Sequence, residues 1–377
     1  MRELYTPELM VLVKELKAFE NFFIDKFYES EKDKFRIKVS RKGEKANILC
    51  ILPYTINATE YIEEAEQASN FAIAVRKRIT GFMIESIGQL GHDRIIIIKL
   101  KKGDDRANLI LEMFGHGNMV LTDENMGITL AYNVHSFKDR EIRPKAVYTP
   151  PQSSAIDISQ ASAILDGIVD SIARTSEDKN AQIGKTLAKG LGIGTMYLEN
   201  ALSRLGINPK EKLSEMKDVQ IKPIADSIIE EVISCLDKPE FTIYKDNEMP
   251  IDFALTKISK YEKKESQTFE TFQKMLDEFY RNASKKEEQE SPEAIELRKS
   301  IEKQRDLLKE IDDDISSNKA IGDEIFSKIS EINKIIAHAK ERKRATKEEL
   351  QELSQSIKIL DVNLKDKTLT IETSENQ

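Results

Sequence analysis

The chain has 377 residues, 33% of them charged and 40% apolar, a length that allows two or three domains with full cores. No stretch approaches the roughly 18 uninterrupted apolar residues of a membrane helix, and the first residues lack the apolar core of a signal peptide, so a cytoplasmic protein without a membrane partner is expected. The net charge of −8 is unevenly sorted: residues 1–150 carry 23 Lys and Arg against 22 Asp and Glu, and the remainder 35 against 44.

The first predicted element is a helix over residues 6–21, with Leu9, Val11, Leu12, Leu16 and Phe19 at helical spacing, Thr6 as cap and Pro7 in the first turn. Strands are predicted near 34–40 and 46–52. In the first of these, alternation puts Phe35, Ile37 and Val39 on one face and Lys34, Arg36 and Lys38 on the other. Arg41, Lys42 and Lys45 extend the basic side, which is either a solvated sheet face or a phosphate-facing surface. A helix over 69–79 ends in the basic triplet Arg76, Lys77, Arg78. Strands follow near 82–88, 94–100, 107–114, 117–122 and 127–134. Between two of them, Gly91-His92-Asp93-Arg94 leads into Ile95–Ile98, so a glycine turn delivers an acid and a guanidinium to the mouth of a buried strand. Such a pair serves either structure or a ligand. Pro150 and Pro151 then mark a boundary.

Beyond it, residues 155–240 read as helical throughout. Leu191-Gly192-Ile193-Gly194, between two amphipathic segments, looks like a helix-hairpin-helix turn, which brings backbone amides close to a phosphate; a tight turn without a ligand fits the same residues. Lys185 and Lys189 flank it. From about 285 a coiled-coil seam runs through Leu297, Ile301, Leu308, Ile311 and Ile315, and a second stripe through Ile325, Ile329, Ile332 and Ile336. Thr346 and Glu349 form a capping box, and two short strands are expected at 359–362 and 368–371. The fold class is therefore α+β. Residues 1–151 form a domain built on a mainly antiparallel sheet, 152–284 a helical domain, 285–345 a coiled coil and 346–377 the start of a further domain.

Cys50 and Cys235 read as buried free thiols, and two cysteines exclude a four-cysteine zinc site. No phosphate-binding Walker loop, nucleophile elbow or zinc-protease motif is present, and the four histidines lack metal spacing. No catalytic residue, metal or cofactor is expected.

Residues 71–95, "FAIAVRKRITGFMIESIGQLGHDRI", and 109–123, "LILEMFGHGNMVLTD", resemble the NFACT family of ribosome quality-control proteins. The likeness is close over about the first 150 residues, and the order of later segments agrees. It implies a glycosylase-like N-terminal fold, a helix-hairpin-helix domain and a coiled coil that continues into a middle domain, within which this chain stops as a fragment would. It implies a factor that binds the large ribosomal subunit holding a stalled peptidyl-tRNA. That factor recruits aminoacyl-tRNA, alanyl-tRNA in particular, to extend the stalled chain without a message. The chemistry then belongs to the ribosome, so neither enzyme activity nor a small-molecule substrate is implied. By the same resemblance Asp93 and Arg94 form a polar patch for tRNA with an acid of the first helix, here Glu8, where relatives commonly carry aspartate. Backbone contacts are expected from Lys34, Arg36, Lys38, Arg76, Lys77, Arg78, Lys189, Gly192 and Gly194.

Two other classes fit parts of the chain. A DNA-binding or glycosylase-like protein would need a proline nucleophile after Met1, where Arg2 stands. A coiled-coil adhesin or scaffold would agree with the fibronectin-binding label that bacterial relatives have carried, but not with the absence of a signal peptide.

Overall fold

The computed structural model describes residues 2–62, 69–137, 140–151, 156–175, 181–213, 221–289, scattered positions between 296 and 311, and 322, 324–341, 346–354, 357–363 and 368–371. They divide into two compact units, Met1–Glu288 and Gln289–Gln377.

In the first unit, α1 (Thr6–Leu16) buries Leu9, Leu12, Val13 and Leu16 along one side. Its cap lies one residue before the expected Thr6, which is the first residue of the helix. Tyr5 is the N-cap, and its backbone N–H donates to the Glu8 carboxylate at 2.8 Å, satisfying a donor that the helix leaves open. There follow β1 (Phe23–Glu31), β2 (Lys34–Arg41), β3 (Glu44–Ile51), β4 (Thr55–Ala58), α2 (Asn70–Ile79), β5 (Met83–Gln89), β6 (Ile95–Lys102), β7 (Asp105–Glu112), β8 (Asn118–Asp123) and β9 (Ile128–Ala131). These strands form one nine-stranded antiparallel sheet in the order β4-β3-β2-β1-β5-β6-β7-β8-β9. A small hairpin, β10 (His135–Ser136) and β11 (Glu141–Ile142), lies beyond it.

The sheet's two halves meet at a short seam. Phe23 pairs with Met83, and backbone bonds join residues 21–24 to residues 81–84. Past that point β1 and β5 part. The Arg76 side chain reaches from α2 to donate to the carbonyl of Phe27, which the parting leaves without a strand partner.

The second half of this unit corrects the expected helical domain. α3 (Ala161–Thr175), α4 (Ile183–Leu191), α5 (Thr195–Arg204) and α6 (Ile221–Asp237) are helices as expected. Residues 242–268, however, form a three-stranded sheet of β12 (Thr242–Asp246), β13 (Met249–Ala254) and β14 (Glu265–Thr268), before α7 (Phe272–Gln289). Its inward residues Ile243, Phe253 and Leu255, with Phe272, Met275 and Tyr280 of α7, join the same core as Leu9, Phe27, Phe35 and Leu111. The helices α3 to α6 keep a cluster of their own around Ile164, Leu187, Leu198 and Ile228, but the boundary expected at 151 does not end the first domain: the chain returns to its core after the helices. Glu15 of α1 fixes the return by accepting from the backbone N–H groups of Phe272 and Gln273 at 2.9 and 3.0 Å. On the far edge strand β4 and just beyond it, Ala58 N–H donates to Gln273 and Glu60 N–H to Asp277.

Of the first expected coiled-coil seam, Leu297 and Ile315 lie outside the described residues, and Ile301, Leu308 and Ile311 are helical positions left exposed, so no buried seam forms there among the described residues. In the second unit, helix Ile329–Glu341 buries Ile335 fully and Ile332 and Ala339 partly against Leu350, Ile357 and Ile359. Ile329 stays 42% exposed, so the stripe is offset from the expected one. The Thr346–Glu349 capping box opens helix Lys347–Glu352, and β15 (Ile359–Asn363) pairs with β16 (Thr368–Ile371), as expected. Cys50 and Cys235 are buried free thiols.

Candidate nucleic-acid interface

Two motifs about a hundred residues apart in sequence meet in one place. The loop from β5 to β6 carries His92, Asp93 and Arg94, and the turn from α4 to α5 carries Gly192 and Gly194. Both line an open cleft of about 700 Å³ together with Tyr5, Thr6, Phe114, Lys185, Lys189 and Thr195. The turn is short because both glycines take positive φ, +68° at Gly192 and +86° at Gly194. Gly194 is further constrained: a Cβ there would lie 2.3 Å from the Tyr5 ring. That contact seats the start of α5 on the N-terminal segment, so the helix begins at the cleft wall, which Gly194 and Thr195 line, with no side-chain cap at its N-terminus. Lys185 and Lys189 stand exposed on α4. His92 lies beside Asp157, 4.0 Å off. The Asp157 carboxyl lies below its ordinary pKa, chiefly through the Ser159 hydroxyl, with His92 a smaller contributor.

Arg94 forms an ion pair with Glu3 and also donates to the carbonyl of Leu4 at 3.3 Å. Its side chain keeps 30% exposure, so the guanidinium is oriented without being enclosed. Asp93 is half-buried at the cleft wall, with its carbonyl held by the Gln89 amide at 2.7 Å.

Glu8 does not join them. It is fully buried, and its carboxylate accepts two bonds from Arg2 at 2.6 and 2.8 Å, one from the Tyr5 backbone and one from the Tyr197 hydroxyl at 2.8 Å. All five Arg2 donors are used: besides Glu8 they reach Asp252, the Glu3 carbonyl and the Phe253 carbonyl. The guanidinium also lies 3.8 Å from the centre of the Phe253 ring. Burial works against the Arg2 charge, but Glu8 and then Asp252 outweigh it and hold its pKa well above the ordinary value. Burial, then Glu8, likewise push the Tyr197 phenol up, which keeps it a donor to the carboxylate. A group so enclosed cannot touch a macromolecule. Its effect on the cleft runs through Tyr5, whose backbone it holds and whose ring meets Gly194.

The sequence profile described as NFACT N-terminal and middle domains matches residues 8–321. The chain belongs to the NFACT family. It is 25% identical over 362 residues to the archaeal Rqc2 homolog aRqcH of Methanocaldococcus jannaschii, a match covering 90% of this chain and 53% of that protein. It is 24% identical to the human ribosome quality control complex subunit NEMF (81% of this chain, 30% of that protein) and 27% identical to the Rqc2 homolog RqcH of Streptococcus pneumoniae (66% and 42%). The chain thus spans about half the length of its archaeal relative and less of the others. Among solved structures, the fibrinogen binding protein from Staphylococcus aureus shares the fold with a TM-score of 0.59 at 22% identity, covering 73% of this chain and 98% of that one.

The basic residues expected on β2 and α2 of this NFACT chain lie outside the cleft. Lys34 is only 7% exposed, because Asp277, Tyr280 and Arg281 of α7 close over that end of β2; it pairs with Glu31 at 3.7 Å and is not part of a solvated face. Arg36 and Lys38 are half-buried on the same row. Arg76 is committed to the Phe27 carbonyl, whereas Lys77 and Arg78 remain exposed on α2. Arg2 and Tyr197, which position the N-terminal segment, were not expected to do so. Their partners lie up to 251 residues away in sequence, and no local spacing signals such a cluster.

Proposed function

We propose that this NFACT chain acts in ribosome quality control and that the cleft between the Asp93–Arg94 loop and the α4–α5 turn is where it holds tRNA. The observation that carries the reading is the convergence of these two segments on one open, basic cleft. Its chemistry suits an RNA backbone: two lysines, a helix start and an oriented guanidinium for phosphate, with a carboxylate, Asp93, of the kind that accepts from ribose hydroxyls and base amines. The family and the names of the relatives support the wider role. In it, the chain joins a large ribosomal subunit carrying stalled peptidyl-tRNA and brings in aminoacyl-tRNA, alanyl-tRNA foremost, for extension without a message. The peptide bond is made by the ribosome, and this chain supplies position and selection.

The test is recovery of RNA with the tagged full chain. The parent is expected to carry tRNA together with large-subunit RNA. Asp93→Ala combined with Arg94→Ala should lose the tRNA while its melting temperature stays within a few degrees of the parent, because a partly exposed ion pair contributes only about 0–1 kcal/mol. Undiminished tRNA recovery with the double variant would sink the assignment.

A further inference from the structure

The outer face of β1 and β2 gathers cations around one aromatic ring. Tyr28 pairs across the ladder with Arg36, and Lys26 with Lys38. The Arg36 guanidinium sits 4.1 Å from the centre of the Tyr28 ring, the Lys26 ammonium 4.9 Å and the Arg76 guanidinium, arriving through the gap beside β5, 5.2 Å. Neighbouring carboxylates are engaged elsewhere. Asp25 is held by the Ser40 hydroxyl at 2.7 Å, and Glu29 accepts from Ser69 and from Tyr132. The result is a local excess of positive charge on a chain whose net charge is −8.

We propose that this Tyr28-centred face is a second RNA contact, made to a single-stranded or looped segment and distinct from the cleft, with which it shares no lining residue. Charge complementarity names a polyanion. The ring names the kind: bases stack on aromatic rings and on arginine planes, whereas an acidic peptide would pair with the cations alone and gain nothing from the ring. The geometry agrees, since same-face residues on a strand repeat every ~6.8 Å, a step comparable with successive phosphates of an extended strand. The inference does not depend on the ribosomal reading, because it concerns a different surface and is tested with a defined RNA.

The experiment measures binding of a short fluorescein-labelled oligouridylate to the full chain across a salt series. Lys26→Gln with Lys38→Gln is expected to lower affinity roughly tenfold at low salt and to flatten the salt slope by about 1.4, as for two lost phosphate contacts. Tyr28→Ala should cost roughly tenfold with the slope unchanged. Lys185→Ala with Lys189→Ala, in the cleft, should leave this binding in place. The proposal is overturned if the Lys26 and Lys38 variant binds like the parent. It is equally overturned if the cleft variant abolishes binding, or if polyglutamate displaces the probe as well as unlabelled oligouridylate does.

Discussion

Glu8 and Arg94 separate two jobs that the sequence places in one patch. Glu8 lies under the N-terminal segment with its carboxylate saturated, and Arg94 lies at the surface on a single carboxylate partner. Glu8→Gln removes the charge that offsets a buried guanidinium and should destabilise the chain by about 3 kcal/mol, read as a fall in the urea midpoint. Arg94→Ala should shift the same midpoint by no more than about 1 kcal/mol. A Glu8→Gln midpoint equal to the parent's would mean that Asp252 alone suffices to hold Arg2. The length of the Glu8 side chain also takes a different meaning here: it reaches Arg2 and Tyr197 inside the fold and does not retune an RNA contact.

At the scale of elements, the α4–α5 turn depends on two glycines for different reasons, and substitution should rank them. At Gly192 a Cβ finds its nearest neighbour, Thr6 Oγ1, at 3.6 Å, so alanine there meets only the left-handed backbone penalty of about 1–2 kcal/mol. At Gly194 the same penalty is joined by the collision with Tyr5, and overpacking adds roughly 1–3 kcal/mol. Gly194→Ala should therefore melt well below Gly192→Ala in a thermal scan; equal melting temperatures would show that Tyr5 moves aside without cost. The hairpin was legible because glycines interrupt two helical repeats. Likewise β6, a run of four isoleucines, and the Thr346 capping box follow from local pattern. β1 was not legible. A bulge at Asp25 sets its buried residues Ile24 and Phe27 three apart instead of two, which hides the strand alternation. β12 to β14 were missed in a stretch assigned to the helical domain, because their pairing with one another, not their composition, defines them.

Across the whole molecule, the first unit closes on itself: beside two smaller clusters, the largest apolar cluster runs from Leu4 to Tyr280 and takes in Met196 and Tyr197 of α5. Residues 1–288 should therefore unfold in one cooperative transition. A piece ending at residue 151 loses Tyr197, Phe253, Phe272 and Tyr280 from that cluster and should give no such transition by circular dichroism. A cooperative melt of the shorter piece would restore the boundary that the paired prolines suggest. The cleft makes the same point for function, since its walls come from both sides of that boundary. What the sequence could name were the two walls; that they face each other depends on Arg2, Tyr5 and the return of α7, none of which has a local signature.

The contact of α7 with the end of the large sheet carries one more consequence. A strand at the margin of a sheet offers unpaired backbone groups to any other chain and is a ready template for aggregation. Here Gln273 and Asp277 take up the N–H groups of Ala58 and Glu60, so side chains of a helix occupy the positions that a neighbouring strand would use. The helix that closes the core thereby also shields the β4 margin from self-association, and a chain shortened before residue 272 would leave that margin bare.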